Sequence, residues 1–323
     1  MGLWEINTDT LAGSRFLVSP LAETLATLKA LERASAAHPA ERAWLDRHLP
    51  AYRRRLADDP LTALTIRAAL GPTWNADYLT PPPVHEGETS FAEELRPIRE
   101  TPPDVAREHL TVSLGGPLPP ELHRDDLPER TAGLLEWVWT HAVLPDWPRR
   151  RRIIEADVLA RTAQLSRDGW AGLLDGLRPG MRWLGGSRLQ VNTHDYPPRA
   201  VTGARLMFVP VTPRYGWTAW DAAWRRFALI YPCSGTLAGA EGPVPEALGR
   251  LLGAGRARVL VLLDTPKSTT QLVALTGQGL GSVGRHLRLL LDARLVARRR
   301  TGRSVLYYRT AAGDVLVTAQ RDT

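Results

Sequence analysis

The sequence predicts a mainly helical α+β chain. An α-rich mixed domain is expected over residues 1–233, a linker at 234–244 and a small basic domain over 245–323. Three observations lead there. The chain has 323 residues, and domains commonly run to ~100–200 residues, so two are expected. Apolar residues recur at helical spacing in most of the first 177 positions and at strand-like spacing after them. The charge is unevenly placed. Residues 243–323 carry 13 Arg/Lys and 5 Asp/Glu, so +8 of a total of +7 lies in the last quarter and the rest sums to −1. A small segment with concentrated positive charge is the footprint of a polyanion binder.

The elements can be justified in order. In "SPLAETLATLKALERASAAHPAERAWLDRHLP", Leu21, Leu25, Leu28 and Leu31 share one helical face after Ser19 as N-cap and Pro20 at the first position. Further helices are expected over 41–57 and 60–70, the second started by "DDP". The stretch 71–120 reads as loop-rich from "TPPPVHEGET", "TPPD" and "GGPLPPE". Helices return at 127–144 and 149–177, the latter with Ile153, Ile154, Val158, Leu159 and Leu165 as its apolar positions. Strands are expected at 187–194 and 204–211, followed by the aromatic-rich "WTAWDAAWRRFALIYPC". "SGTLAGAEGPVPE" has the small, turn-prone composition of a linker.

Composition narrows the function classes. No apolar run approaches the ~18 residues that a membrane span needs, and "MGLWEINTDT" is no secretory signal. A cytoplasmic location without membrane contact is expected. The single cysteine, Cys233, makes no intramolecular disulfide and no thiolate metal cluster. It follows an apolar run and is expected to be a buried, inert thiol. No metal site and no cofactor are expected, since the histidines lack ligand spacing. No H-E-x-x-H, G-x-S-x-G or P-loop occurs. The chain is therefore not expected to be an enzyme.

One stretch allows two machines. In "GLGSVGRHLRLLLDARLVARRR", Gly279, Gly281 and Gly284 fit G-x-G-x-x-G, with Arg298 where an NADP phosphate contact could stand. A dinucleotide cradle needs a strand before the first glycine and further βαβ units after the helix. Only 39 residues follow Gly284, and they read as a hairpin. The other reading takes "PEALGRLLGAG", with Leu248, Leu251 and Leu252 on one face, then "RARVLVLLDTP", as two helices. A third, "STTQLVALTG", has Ser268 as N-cap and ends at Gly277. A longer one over about 279–292 buries Leu280, Val283, Leu287 and Leu290. Two alternating runs around "TGR", about 296–309, make a basic hairpin. These are the parts of a winged helix-turn-helix.

That arrangement assigns roles. The exposed face of the long helix, Gly281, Ser282, Arg285 and His286, would read base edges in the major groove, Arg285 bidentately to guanine. Thr269, Thr270, Arg288, Arg299, Arg300 and Arg303 would contact the DNA backbone.

Residues 245–310 resemble the winged-helix domain of ArsR-type transcriptional repressors. "STTQLVALTG" resembles that family's positioning helix and "SVGRHLRLLLDARLV" its recognition helix. "RRRTGRSVLYYR", with Tyr307 and Tyr308, is similar to its wing. The long N-terminal part resembles a domain of unassigned function that accompanies this winged helix in some larger regulators. The resemblance implies a sequence-specific double-stranded-DNA-binding repressor. It also implies a homodimer contacting through the helix near 245–253, with dimer surface or small-molecule effector sensing in the N-terminal domain.

Blander readings stand beside these. Arg149–Arg152 is expected to be a solvated turn or an ion-pair cluster. Tyr307 is expected in the core of the wing, with Tyr308 as its exposed neighbour. Trp217, Trp220 and Trp224 form a candidate ligand pocket, with structural core or a dimer contact as the plainer expectation. The alternative function is a small-molecule-binding or enzymatic N-terminal domain with the winged helix as a protein- or RNA-docking module.

Overall fold

The computed structural model describes residues 2–36, 39–84, 87–175, 177–194, 196–233, 244–263, 266–301 and 304–319. The chain enters through β1 (Leu3–Glu5), α1 (Thr8–Ala12) and β2 (Arg15–Phe16). These elements are too short to show a period, so the sequence does not announce them. Helix α2 (Pro20–Arg33) starts where its signals place it. The Ser19 hydroxyl accepts from the Ala22 amide at 2.9 Å, and Leu21, Leu25, Leu28 and Leu31 are all buried. Helices α3 (Pro39–Ala57) and α4 (Pro60–Ala69) follow, the second capped by Asp59.

Residues 71–120 depart from the expected loop. They hold α5 (Phe91–Arg99) and α6 (Pro103–Leu114). Ser90 and Glu93 form a reciprocal capping box at the head of α5. Pro103 occupies the first turn of α6, where its missing N–H costs nothing. Helix α7 (Leu127–Val138) runs through a π-helical turn at Trp139–Val143 and a 3-10 turn at Leu144–Asp146 into α8 (Trp147–Leu174). Gly169 breaks α8 with φ 64° and ψ −175°, a conformation that glycine adopts without the Cβ penalty.

The strands are β3 (Arg182–Gly185), β4 (Arg188–Gln190), β5 (Arg199–Ala200), β6 (Arg205–Val211), β7 (Trp217–Asp221) and β8 (Arg226–Pro232). One sheet has the order β3-β4-β1-β5 and another β2-β6-β8-β7. In the second, β2, β6 and β8 are parallel and β7 is antiparallel to β8. Both faces of β6 and β8 are covered. Met207, Val209, Val211, Ala228 and Ile230 pack into the core formed with α2 to α7. Leu206, Phe208, Phe227, Leu229 and Tyr231 face Trp4, Leu174 and Leu189. Burial on both sides is why "LMFVPV" and "FALIY" read as continuous apolar runs.

The C-terminal part comprises α9 (Glu246–Leu252), α10 (Ala254–Leu262), β9 (Lys267–Ser268), α11 (Thr269–Thr276) and α12 (Leu280–Asp292). A hairpin, β10 (Val296–Thr301) and β11 (Ser304–Arg309), and α13 (Ala311–Thr318) complete it. Its antiparallel sheet has the order β10-β11-β9. The expected linker lies outside the described residues except for Val244. The molecule is thus mixed α and β and mainly helical. Among the described residues no helix is long and apolar enough to cross a membrane. Leu248 is buried but Leu251 is 65% exposed, so α9 does not turn all three of its leucines inward. The C-terminal core is not self-contained. Ile153 and Ile154 of α8, and Cys233, belong to the same apolar cluster as Leu248, Leu260, Leu272, Val283 and Leu287. Leu159, further along α8, is 69% exposed, against its expected place on an apolar face.

A buried ion pair fixes the start of α8. Arg150 Nη1 donates to Glu23 Oε1 at 2.6 Å and to Thr27 Oγ1 at 3.0 Å. Its Nη2 donates to the Ala142 carbonyl at 3.0 Å. Glu23 Oε2 also accepts from the Thr212 amide at 2.7 Å. Both charged side chains are 0% exposed. At the surface Arg149 pairs with Asp146 at 3.4 Å, and Arg151 with Glu155 at 2.8 Å and with Glu88, while Arg152 is exposed. Ion pairing is therefore the outcome for Arg149, Arg150 and Arg151, which stand in a helix and not in a turn, and Arg152 is solvated. Removing one partner of such a pair strands the other, so Arg150→Leu is expected to cost ~3–5 kcal/mol in urea unfolding. The double change Arg150→Leu with Glu23→Leu should recover much of that loss. An unchanged midpoint in the single variant would mean the pair holds nothing in place.

Candidate functional site

Helix α11 is positioned by its ends. Ser268 Oγ accepts from the Gln271 amide at 3.3 Å, and Gln271 Oε1 accepts from the Ser268 amide at 2.7 Å. Gly277, at φ 68°, closes the helix in the left-handed conformation. Thr269 and Thr270 stand half-exposed on its first turn.

Helix α12 follows after a short turn and turns Val283, Leu287 and Leu290 inward, at 0%, 2% and 2% exposure. Residues at 100° intervals put Gly281, Ser282, Arg285 and Arg288 on the other side, and all four are exposed. Arg285 and Arg288 make no ion pair among the described residues. Leu280 corrects the expected stripe. It is 64% exposed, because the buried contacts of the helix begin one turn later. Leu289, 43% exposed, lies on the outer side as well. Its place in the alternation of basic and apolar letters gave no sign of that.

His286 sits differently from its neighbours. It is half-buried, and a Cβ built on Gly255 of α10 would lie 2.7 Å from its Nε2. The ring therefore lies close over Gly255, and a larger residue there would push it aside. Burial, then Arg256 and Arg285, lower its pKa from the ordinary 6.5. The imidazole is held neutral at pH 7 and contributes a polar edge, not a charge.

The hairpin continues the basic surface. Arg298, Arg299 and Arg300 on β10 are exposed. Arg299 Cζ lies 6.0 Å from the Tyr308 ring, a diagonal cross-strand contact. Tyr307 packs on the C-terminal core. Tyr308 is likewise only half-exposed, so alternation separates the two tyrosines less than expected. Arg303 lies outside the described residues. Arg298 belongs to this surface although the sequence suggested it only as a nucleotide contact. The nucleotide cradle itself lacks its strand: residues 269–276, ahead of Gly279, are helical.

The aromatic cluster divides. Trp217 and Trp220 line a cavity of about 360 Å³. Trp224 does not; it is 73% exposed on the turn after β7, with the Arg226 guanidinium 5.9 Å from its ring. Cys233 is buried, and burial raises its thiol pKa well above the usual value. That favours the protonated, unreactive form. Among the described residues no group of three His, Cys, Asp or Glu could hold a metal.

Two outcomes follow from α12. A Cβ at Gly281 or Gly284 would meet nothing within 4 Å. Each glycine-to-alanine change should therefore stabilise the helix by ~1 kcal/mol, read as amide exchange protection. His286 sets a pH dependence. As pH falls through 6.5 the unfolded chain takes up the proton before the folded one, so stability contributed above that pH is lost below it. His286→Gln should flatten the fall in thermal midpoint between pH 7 and 5; an equally steep fall would place its origin elsewhere. No protein-family model, curated protein or solved structure matches the chain.

Proposed function

We propose that residues 245–310 are a winged helix-turn-helix of the ArsR type. In this reading the chain is a cytoplasmic, sequence-specific transcriptional repressor that binds double-stranded DNA as a homodimer. Helix α12 enters the major groove, and the hairpin lies along the phosphate backbone. One observation carries the reading. A single helix presents Gly281, Ser282, Arg285 and Arg288 outward, the two arginines without an ion-pair partner among the described residues, beside a hairpin bearing three exposed arginines. A helix of this width fits the major groove, and an unpaired guanidinium has the donors to bond guanine bidentately. The order helix, strand, helix, helix, hairpin, with β9 paired to β11, supports the same reading.

Polarity divides the labour. Arg285 and Ser282 are base readers, and His286, neutral and braced on Gly255, offers a hydrogen bond at the flank. Arg288, Arg299 and Arg300 supply phosphate contacts, with Thr269 and Thr270 at the head of α11. The exposed Leu251 on α9 supports dimerisation through that helix, and a two-fold dimer would read half-sites about one helical turn apart.

The test is a footprint on the DNA upstream of the chain's own coding region, with binding measured over a range of salt. Arg285→Ala should cost ~1–3 kcal/mol and relax sequence preference. Arg300→Ala should weaken all sequences alike and reduce the salt slope by ~1. If both variants bind as the parent does, the reading falls.

A further inference from the structure

The cavity that Trp217 and Trp220 line is a made chamber. At about 360 Å³ it falls in the range of small-molecule sites, roughly 300–1,000 Å³. Its aromatic wall is braced. Trp74 meets Trp220 with ring centroids 4.8 Å apart and Tyr196 at 4.7 Å, both edge-on. The Arg199 guanidinium lies 3.7 Å from the Trp220 centroid, and the Tyr196 hydroxyl donates to the Thr73 carbonyl at 3.2 Å. These rings cannot turn without breaking contacts.

Its polar side is cationic. Lys29, Arg33 and Arg178 all line the cavity, and among the described residues none has a carboxylate within ion-pair distance. Arg214, also in the lining, does have one, with Glu41 at 3.3 Å. Lys29 donates to Asn75 Oδ1 at 2.7 Å and lies 5.2 Å from the Trp217 centroid. Burial, then Arg33, then Arg178 lower its ammonium to about 7. Two buried donors of lining residues, Trp217 Nε1 and Arg178 Nε, have no hydrogen-bond partner among the described residues. Among the described lining residues the one acid is Asp77, whose pKa is raised, chiefly by burial. The first 242 residues sum to −1, so basic composition does not account for three unpaired cations in one chamber.

We propose that this cavity binds a small planar anion, an aromatic ring carrying a carboxylate or a phosphate. The ring lies against Trp74 and Trp220, and its anionic group reaches Lys29, Arg33 and Arg178. Cations already crowded together gain from an anion without first losing a partner, and charge-assisted bonds are the strong ones. Aromatic walls held edge-on favour a flat partner over a flexible one. The chamber is too small for a nucleic-acid segment, and its charge repels a cationic ligand. The proposal goes beyond the DNA-reading function and stands without it.

The test uses the full chain without DNA. Isothermal titration compares 2-naphthoate, 2-naphthyl phosphate, neutral 2-naphthamide and inorganic phosphate. At least one of the two aromatic anions should saturate at one per chain. Naphthamide and inorganic phosphate should bind about tenfold more weakly or not at all. The better of the two aromatic anions tells carboxylate from phosphate. Arg33 is exposed, so Arg33→Gln should keep the fold and lower affinity about tenfold. Lys29→Met should also lower it while raising the thermal midpoint, because a crowded charge is removed. Failure of both aromatic anions to saturate overturns the proposal, as does equal binding of naphthamide or of inorganic phosphate. So does unchanged affinity in both variants.

Discussion

The guanidinium of Arg150 is the constraint on which the arrangement of the chain turns. Taking it and the Glu23 carboxylate out of water costs several kcal/mol per ion, and only good geometry repays that. Acceptors come from separate pieces of chain: Glu23 and Thr27 from α2, and the Ala142 carbonyl from the π-helical turn. The Thr212 amide, just past β6, closes the circle on Glu23. Helix, turn and sheet must all be in register for the charges to be satisfied together. Fold and ion pair therefore specify each other.

The consequence reaches the C-terminal part through one turn of helix. Ile153 and Ile154 follow Arg150 on α8 and pack into the core beneath α10, α11 and α12. It is α11, the helix that packs beside α12, that rests on α8. Buried cores change volume poorly and transmit strain. A displacement of α8 would therefore be felt in the apolar cluster beneath α10, α11 and α12.

Local signals were legible in the sequence. Ser19 with Pro20, Ser268 and Gly277 marked helix ends, and the structure puts caps at each. The stripe Val283, Leu287, Leu290 was readable because one helix face meets one core. Two helices in residues 71–120 were not, because prolines read as turns although Pro103 stands in a helical first turn. Nothing local distinguishes Arg150 from Arg149 or Arg151; its partner is 127 residues away. The same holds for the cavity. Its lining comes from α2, residues 71–80, the 178–180 turn, Asn192, His194, Tyr196 and β7, so no spacing could reveal it. The tryptophans alone suggested a pocket, and they included one, Trp224, that points away from it.

Positive charge has two different uses in this chain. On α12 and β10 the arginines are solvated, and their attraction to a polyanion is long-ranged and screened by salt within about 8–10 Å. Two interior glycines lower the helix propensity of α12. In the N-terminal cavity Lys29 and Arg178 are desolvated and so screened little, and Lys29 lies beside the Trp217 ring. That environment discriminates by shape and by the position of one anionic group. Because α2 carries both Lys29 at the cavity and Glu23 at the Arg150 pair, the two are joined by a single helix.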